Sequence, residues 1–312
     1  MPLSSSTMSA FTGTILSLAT RRTKPILVSM ADKEDKRKVR EATWAGIFYD
    51  DDPAQLSRDV DRLLDSAAAG AEAAVTMGDA ASAILSPHAS LEYSGDLAAL
   101  AWNACRNRKL SRIVLIGPWH RATESALWLP ESLSYEGPFG SIDVDRRCVT
   151  EFMDCGTIYS QNDIPHLEEH SIEVQLPFVA RLFPGVPIVP LLVGLPSSTL
   201  VKALASGLGL VFGKRRPSTL FVLSSDLEFA QSPEESAARS GNFLARIESG
   251  DWESLLEDQR AGKLASCGIG GIAGYLASGL AGVPRLLGRH GSGAARERED
   301  DAHGEYAAIA FE

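Results

Sequence analysis

The chain has 312 residues, and 45% of them are hydrophobic, which is enough to form the core of one large globular domain. Its formal net charge of −10 at pH 7 argues against nucleic acid or an anionic membrane surface as the main partner. The sequence also contains no run that approaches the roughly 20 apolar residues of a membrane-spanning helix.

The N-terminal segment, residues 1–38, differs in composition from the rest of the chain. Its first part is rich in Ser and Thr, contains Arg21, Arg22 and Lys24, and lacks acidic residues. This composition is typical of an organellar transit peptide, and it is equally typical of a disordered extension. We therefore expect the globular domain over residues 39–312, in the cytoplasm or, if the extension is a targeting segment, in an organelle.

The remainder of the chain alternates between two apolar patterns. Short aliphatic runs that end at Pro, Gly or Ser predict buried strands, and apolar residues three or four positions apart predict helices. The predicted strands cover residues 83–86, 113–116, 187–193, 220–225, 283–287 and 306–311. The predicted helices cover residues 53–68, 96–106, 143–153, 172–182, 200–212, 233–249, 252–259 and 267–276. The Gly- and Arg-rich residues 288–299 are predicted to form a mobile loop.

This alternation predicts the fold class. Strands that alternate with helices form βαβ units, in which a mostly parallel sheet is covered by helices on both faces. The sequence therefore predicts a single three-layer α/β domain. In open sheets of this kind, ligands bind outside the carboxyl ends of the strands.

Two histidines follow predicted strands at that edge. His88 comes after the first strand, and His120 comes after the second. A lone His is usually a surface residue or a hydrogen-bonded core residue, whereas two imidazoles at neighbouring strand ends could hold a metal. Pro87 and Pro118 restrict the backbone shortly before each histidine, which favours a rigid presentation of the rings.

A cysteine in a Gly-rich segment is a third candidate. If Ser266 caps a helix that begins there, Cys267 lies in its first turn, where the helix dipole favours a thiolate. The alternative is a small cysteine packed in a Gly-rich helix. We interpret Cys105, Cys148 and Cys155 as structural, because they lack such a setting. The chain has no CxxC pair and no disulfide framework, and such cysteine usage is typical of a reducing compartment.

Three further residues are candidates for catalytic roles. Asp226 and Glu228 follow the strand at 220–225, so either could bind a metal, orient a ligand or accept a proton. The alternative for Asp226 is a cap of the following turn. His170 precedes a predicted helix and either faces the cleft or forms a solvated helix cap.

Several other enzyme classes do not fit the sequence. A GxSxG elbow is absent, which argues against a nucleophilic hydrolase of that type. A GxGxxG motif after a strand and a Walker-type loop are also absent, which argues against dinucleotide or nucleotide binding.

The ordered motifs resemble those of a known family. They are Arg40-Glu41-Ala42, Ala45-Gly46-Ile47-Phe48-Tyr49, Pro87-His88-Ala89, Tyr93-Ser94-Gly95, Gly117-Pro118-Trp119-His120, Glu169-His170-Ser171-Ile172-Glu173, Leu176-Pro177-Phe178, Pro190-Leu191-Leu192-Val193-Gly194, Ser224-Ser225-Asp226 and Tyr306-Ala307-Ala308. In this order they resemble the MEMO family, also called AmmeMemoRadiSam system protein B, which is structurally similar to class III (LigB-type) extradiol dioxygenases. The resemblance covers about Arg40 to the C-terminus and implies a fold of that type.

The resemblance also implies a metal site. The ligands of the family fall on His88, His120 and Cys267, and the implied metal is Fe(II) or copper. A mixed imidazole and thiolate set with an open position is chemically reasonable for either metal. The expected function is therefore metal binding with metal-dependent redox activity. The sequence does not specify a small-molecule or protein partner.

The chain departs from the family at residues that matter for chemistry. Phe229 stands where the family has the His that corresponds to a dioxygenase-like general base, and a phenyl ring can neither bind a metal nor transfer a proton. Arg121 and Trp44 replace two further histidines of the pattern, and Glu228 is a candidate substitute for the missing base. The alternative function is a non-catalytic metal-binding or protein-interaction module.

Overall fold

The computed structural model describes residues 38–69, 81–230, 232–292 and 303–312. The predicted extension over residues 1–38 lies outside the described residues except for Lys38, and so do residues 293–299 of the predicted loop. The compartment and the role of the extension therefore stay predictions.

The first half of the described chain contains the strands and helices that carry the two predicted histidines. They are β1 (Val39–Arg40), α1 (Pro53–Ala69), β2 (Ala83–Ser86), α2 (Leu91–Asn103), β3 (Arg112–Pro118), β4 (Leu127–Leu129), β5 (Ser134–Gly137), β6 (Gly140–Asp143), α3 (Arg146–Met153), β7 (Tyr159–Gln161) and α4 (Asp163–Glu168).

The second half completes the sheet and its helical layers. It contains α5 (Leu176–Leu182), β8 (Ile188–Val193), α6 (Ser198–Phe212), β9 (Thr219–Ser224), β10 (Glu228–Ala230), α7 (Pro233–Ser249), α8 (Trp252–Arg260), α9 (Ile269–Ala277), β11 (Pro284–Gly291) and β12 (His303–Phe311). Short 3-10 turns at Glu173–Gln175 and Arg216–Ser218 precede α5 and β9.

Nine strands within the described residues form one sheet, in the order β10-β12-β2-β9-β3-β8-β4-β7, with β11 paired to β12. The central strands β2, β9, β3 and β8 run parallel, with Ser86 opposite Ser224 and Ile116 opposite Leu223. The strands β10, β11 and β12 extend this core by antiparallel pairing. On the other side, β4 pairs with β8 in antiparallel orientation. The predicted parallel sheet is therefore confirmed for the central strands, and their buried aliphatic runs explain it, because parallel strands are covered on both faces.

Two neighbouring residues of β3 show that helices cover both faces of the sheet. A Cβ atom at Gly271 of α9 would lie 2.8 Å from Cγ2 of Ile116, whereas a Cβ atom at Gly117 would lie 2.5 Å from Oγ of Ser171. Successive residues of a strand face opposite sides, so α9 and the segment that begins at Ser171 lie in different layers. The three-layer α/β architecture is therefore confirmed.

Some predicted element boundaries were wrong. The predicted helix at 143–153 begins only at Arg146, because Asp143 belongs to β6, where it pairs with Ser134 of β5. Asp145 caps the helix by accepting a hydrogen bond from Cys148 N. The predicted helix at 172–182 starts as a 3-10 turn, and α5 begins at Leu176.

Other differences lie near the C-terminal half of the chain. The predicted helix at 267–276 begins at Ile269, so Cys267 precedes it. Gly288–Gly291, predicted as part of a mobile loop, belong to β11 because they pair with β12. In the ranges that the structure describes, no helix combines the length and the apolar character needed to cross a membrane.

Candidate metal centre

Neighbouring parallel strands bring the predicted residues together at one edge of the sheet. Because β2 and β9 pair in register, His88 and Asp226 each follow their strand by two residues and meet directly. The backbone N–H of His88 donates to Asp226 Oδ1 over 2.9 Å. On the other side of β9, His120 follows β3 by two residues. The strand ends therefore place both imidazoles in one cleft.

Three candidate ligands converge in this cleft. The ligand atoms of His88, His120 and Cys267 all lie within 4.8 Å of one another. His88 Nε2 is 3.2 Å from Cys267 Sγ, and the two imidazole centroids are 5.2 Å apart. His88 is buried, whereas the side chain of His120 is 37% exposed, so the centre opens to solvent on the His120 side.

Cys267 lies on a loop that is linked by hydrogen bonds to the end of β9. Ser266 Oγ donates to the carbonyl oxygen of Asp226 over 2.8 Å, and Gly268 N donates to Ser225 Oγ over 3.0 Å. The sequence-based expectation that Ser266 caps a helix with Cys267 in its first turn was wrong, because the helix begins two residues after Cys267. The cysteine is positioned by the strand end and not by the helix.

The two imidazoles control the charge of Cys267. Burial disfavours the thiolate, but His88 and His120 outweigh that penalty and lower the pKa of Cys267 to about 6. Burial likewise opposes protonation of His88, yet Cys267 and Asp226 raise its pKa to about 9. The metal-free centre therefore holds a thiolate beside protonated imidazole at neutral pH, and the expected low thiol pKa has the histidines as its cause.

Glu169 orients His120. The backbone N–H of His120 donates to Oε2 over 2.7 Å, and its ring Nδ1 lies 3.0 Å from both carboxylate oxygens. Burial raises the pKa of Glu169, but its bonds to His120 lower the pKa to about 2, so the group is an ionised carboxylate that can only accept. His120 Nδ1 must then carry the hydrogen, which leaves Nε2 free for a metal.

His170 lies beside the three candidate ligands. Its ring stacks on His120 at 4.9 Å and on Phe48 at 4.3 Å between centroids, and Nδ1 is 3.2 Å from Glu169 Oε1. Burial and the neighbouring His88 lower the pKa of His170 to about 3, so its ring is neutral at physiological pH. The structure thus places this predicted catalytic residue in the cleft.

A second group of possible ligands comprises His120, Glu169 and His170. The carboxylate of Glu169 also accepts hydrogen bonds from the backbone N–H of His170 over 2.9 Å and of Ser171 over 2.8 Å. With these donors and both donors of His120, its oxygens are occupied by N–H groups. Glu169 therefore fits the role of a positioning residue better than that of a metal ligand.

The other predicted catalytic residues have different positions. Asp226 Oδ2 is 4.0 Å from His88 Nε2, at the edge of the centre. Glu228 is outside both groups of possible ligands found among the described residues, and its carboxylate accepts hydrogen bonds from the backbone N–H groups of Ala265 and Ser266. This placement favours a role for Glu228 in holding the loop that carries Cys267.

Phe229 and Trp44, which stand where the family pattern has histidines, lie in different surroundings. The ring of Phe229 is on β10, is 42% exposed and packs edge-on against Tyr306 at 6.3 Å. Trp44 packs against His170 at 5.6 Å and against Phe48 at 5.5 Å. Trp44 therefore forms part of the wall around His170, while Phe229 faces away from the buried core.

A buried ion pair holds the wall residues in place. Arg40 pairs with Glu173, and both side chains are almost completely buried. The carboxylate of Glu173 also accepts from Trp44 N over 2.8 Å and from the hydroxyl of Tyr49 over 2.6 Å. Sequence reasoning interpreted Glu173 only as an acid near a helix start and assigned no role to Glu169, although the matching pentapeptide at 169–173 contained both and was the available signal.

Comparisons with known proteins identify the family of this chain. A family model described as Memo-like protein matches residues 40–283. The chain belongs to the Memo-like family. A MEMO1 family protein of Aeropyrum pernix is 32% identical over 220 residues, which are 69% of this chain and 78% of that protein.

Further MEMO1 family proteins match comparable shares of the chain. A MEMO1 family protein of Thermotoga maritima is 31% identical over 195 residues, 62% of this chain and 70% of its own length. One from Metallosphaera sedula is 26% identical over 242 residues, 76% of this chain and 86% of its own length. The family resemblance found in the sequence is therefore confirmed.

Proposed function

We propose that His88, His120 and Cys267 of this Memo-like protein hold one Fe(II) or copper ion in a redox-active centre. The observation that carries the proposal is the convergence of two imidazole nitrogens and one sulfur within 4.8 Å of one another at the strand ends. The thiolate form of the cysteine is the form that binds metals, and its lowered pKa makes that form available at neutral pH.

The chemistry of the donor set fits these metals. Imidazole suits both iron and copper, and a thiolate adds a soft ligand that favours copper in its reduced state. The exposed side of His120 would let a further ligand reach an ion held by these three residues. Such an ion would supply one-electron redox chemistry.

The surrounding residues support binding beside the metal. Asp226 holds the backbone of His88 and Ala89 through hydrogen bonds of 2.9 and 3.3 Å. His170 is a neutral imidazole next to the ligands, and its pKa of about 3 makes it a weak proton acceptor at neutral pH. In this proposal His170 forms hydrogen bonds to a molecule bound in the cleft and does not replace the general base for which Phe229 is unsuited.

A second candidate function is metal binding without turnover, in a metal carrier or protein-interaction module. The outward-facing ring of Phe229, at the position of the general-base histidine, favours this alternative. Both functions require the same three ligands, so metal binding has to be tested before activity.

The test is an anaerobic titration of the metal-free protein with Fe(II) and with Cu(I). Wild type and the control Cys155→Ser should bind one equivalent, because Cys155 is a half-buried residue just after α3 that belongs to neither group of possible ligands in the described part of the chain, and its thiol donates to the carbonyl oxygen of Glu151. Cys267→Ser should weaken binding by at least about tenfold. Equal binding by all three proteins would refute the site. Oxygen uptake by the loaded wild type above that of the free metal would support redox activity, and no uptake would support binding alone.

A further inference from the structure

A buried hydrogen-bond network lies beneath His88. Gln175, in the 3-10 turn before α5, accepts a hydrogen bond from Trp102 Nε1 over 2.9 Å. Its side-chain nitrogen donates to the carbonyl oxygen of Pro87 over 2.9 Å and to Ser224 Oγ over 3.1 Å. Ser224 Oγ in turn lies 3.0 Å from His88 Nδ1. We refer to Trp102, Gln175 and Ser224 as the Gln175 network.

The orientation of the Gln175 amide follows from its partners. The indole nitrogen of Trp102 can only donate, so the amide oxygen must face it. The carbonyl of Pro87 can only accept, so the amide nitrogen must face it. Both ends of the side chain are therefore assigned by groups whose roles cannot be reversed, and Gln175 must donate to Ser224.

The role of the Ser224 hydroxyl follows in the same way. A hydroxyl has one hydrogen, and Ser224 Oγ lies 2.6 Å from the carbonyl oxygen of Ser171, which can only accept. The single hydrogen of Ser224 therefore belongs to Ser171. Toward Gln175 and His88, Ser224 Oγ can only accept, so His88 Nδ1 must carry a hydrogen.

We infer that the Gln175 network keeps the hydrogen of His88 on Nδ1 and thereby presents the lone pair of Nε2 to the metal. This inference rests on the proposed metal function. It makes Gln175 and Ser224 positioning residues, which act through His88 and do not bind the metal. Because His88, Ser224 and Gln175 are all buried, no solvent molecule needs to share this role.

The two imidazoles are thus oriented by different chemistry. His120, on the exposed side, donates to the charged carboxylate of Glu169. His88, on the buried side, donates to the neutral hydroxyl of Ser224, which donates its own hydrogen to the carbonyl oxygen of Ser171. The deep ligand is therefore oriented without an additional buried negative charge on that side of its ring.

The sheet supplies a matched control for Ser224. Ser86 lies directly opposite Ser224 in the paired strands and is equally buried. Among the residues that the structure describes, the Ser86 hydroxyl has no hydrogen-bond partner. Ser86→Ala therefore removes a hydroxyl at the same depth without changing the Gln175 network.

The experiment records long-range proton–nitrogen NMR spectra of protein labelled with ¹⁵N in histidine, metal-free at about pH 10 and loaded with Zn²⁺. The signals of His88 are assigned by their loss in His88→Ala. We expect a hydrogen on Nδ1 in both wild-type samples, with zinc on Nε2. In Ser224→Ala, the hydrogen of His88 should no longer be confined to Nδ1, and Zn²⁺ should bind about 10- to 100-fold more weakly. Ser86→Ala and Ser224→Thr should resemble wild type in both measurements.

A neutral His88 in metal-free wild type with its hydrogen on Nε2 in place of Nδ1, or zinc on Nδ1, would overturn the inference without any variant. An unchanged spectrum and zinc affinity in Ser224→Ala would overturn it as well. If wild type fails to bind Zn²⁺, Fe(II) and Cu(I), the proposed function fails. The metal-free spectrum then still decides whether the network keeps the hydrogen on Nδ1.

Discussion

Each candidate ligand is oriented by a different neighbour. A carboxylate positions His120, a hydroxyl positions His88, and hydrogen bonds between serine hydroxyls and the backbone position the loop that carries Cys267. Groups that orient a metal ligand commonly change metal affinity by about 10- to 100-fold when they are removed. The affinity of this centre should therefore depend on residues that never touch the metal.

Glu169→Gln tests this dependence at a single residue. The new amide nitrogen would face N–H groups of His120, His170 or Ser171, which cannot accept a hydrogen bond. We expect metal affinity to fall about 10- to 100-fold in an equilibrium titration. Glu168→Gln changes the exposed neighbouring carboxylate and should bind as wild type does. Equal affinities of the two variants would contradict the role of Glu169.

Metal binding should also release protons in a pH-dependent way. Between about pH 6 and pH 9, Cys267 is already a thiolate, while His88 and His120 still carry protons that the metal must displace. Calorimetry in buffers of different ionisation enthalpy should therefore detect release of about two protons per metal. Affinity should rise with pH through this range, because proton competition declines. Binding without proton release would contradict the account.

At the scale of elements, the turn after β9 and the loop before α9 form one unit. Ser225 contacts Gly268, and Asp226 contacts Ser266, so the two segments hold each other in register. A Cβ atom at Gly268 would lie 2.4 Å from both Cβ and Oγ of Ser225. Gly268 is therefore required for the close approach that places Cys267 beside His88.

Gly268→Ala should separate these two segments. Overpacking at such a contact costs about 1–3 kcal/mol in the free energy of unfolding, and the shift of Cys267 should weaken metal binding. Gly241→Ala is the control, because a Cβ atom there meets nothing within 4 Å in the middle of α7. The control should raise stability by about 0.5–1 kcal/mol. Denaturant unfolding measures the free energy of unfolding of both variants. A Gly268→Ala protein that is more stable than wild type would contradict the packing argument.

The strands that precede the two histidines were predictable from sequence because they are uninterrupted aliphatic runs that end at Ser or Gly-Pro. The strands β4, β7 and β10 were not predictable, because a segment of three residues is too short to show an alternation or an aliphatic run. The contact of Glu169 with His120 joins residues 49 positions apart, and that of Ser225 with Cys267 joins residues 42 apart. Such contacts depend on how the chain folds and leave no local pattern.

At the scale of the whole molecule, one ion pair joins the beginning of the domain to the cleft. Arg40 lies in β1 and donates to Glu173 and to the carbonyl oxygen of His166, 126 positions later. The segment between Arg40 and Tyr49 then supplies Trp44 and Phe48 to the wall around His170. The first residues of the domain are therefore part of its functional site.

Arg40→Met should destabilise the protein strongly. It leaves the buried carboxylate of Glu173 without its cation, and breaking a buried pair in this way costs about 3–5 kcal/mol. Arg62→Met removes the exposed partner of Asp59 and should change stability by less than about 1 kcal/mol. Urea unfolding compares the two variants. Equal effects would contradict the importance of the Arg40–Glu173 pair.

The central claim is that His88, His120 and Cys267 form one metal centre. The most direct test is the metal content of protein purified without oxygen, with wild type measured beside His88→Ala by elemental analysis. We predict about one iron or copper per wild-type chain and a large loss of that metal in the variant. Equal metal contents in the two proteins, whether near zero or stoichiometric, would contradict the claim.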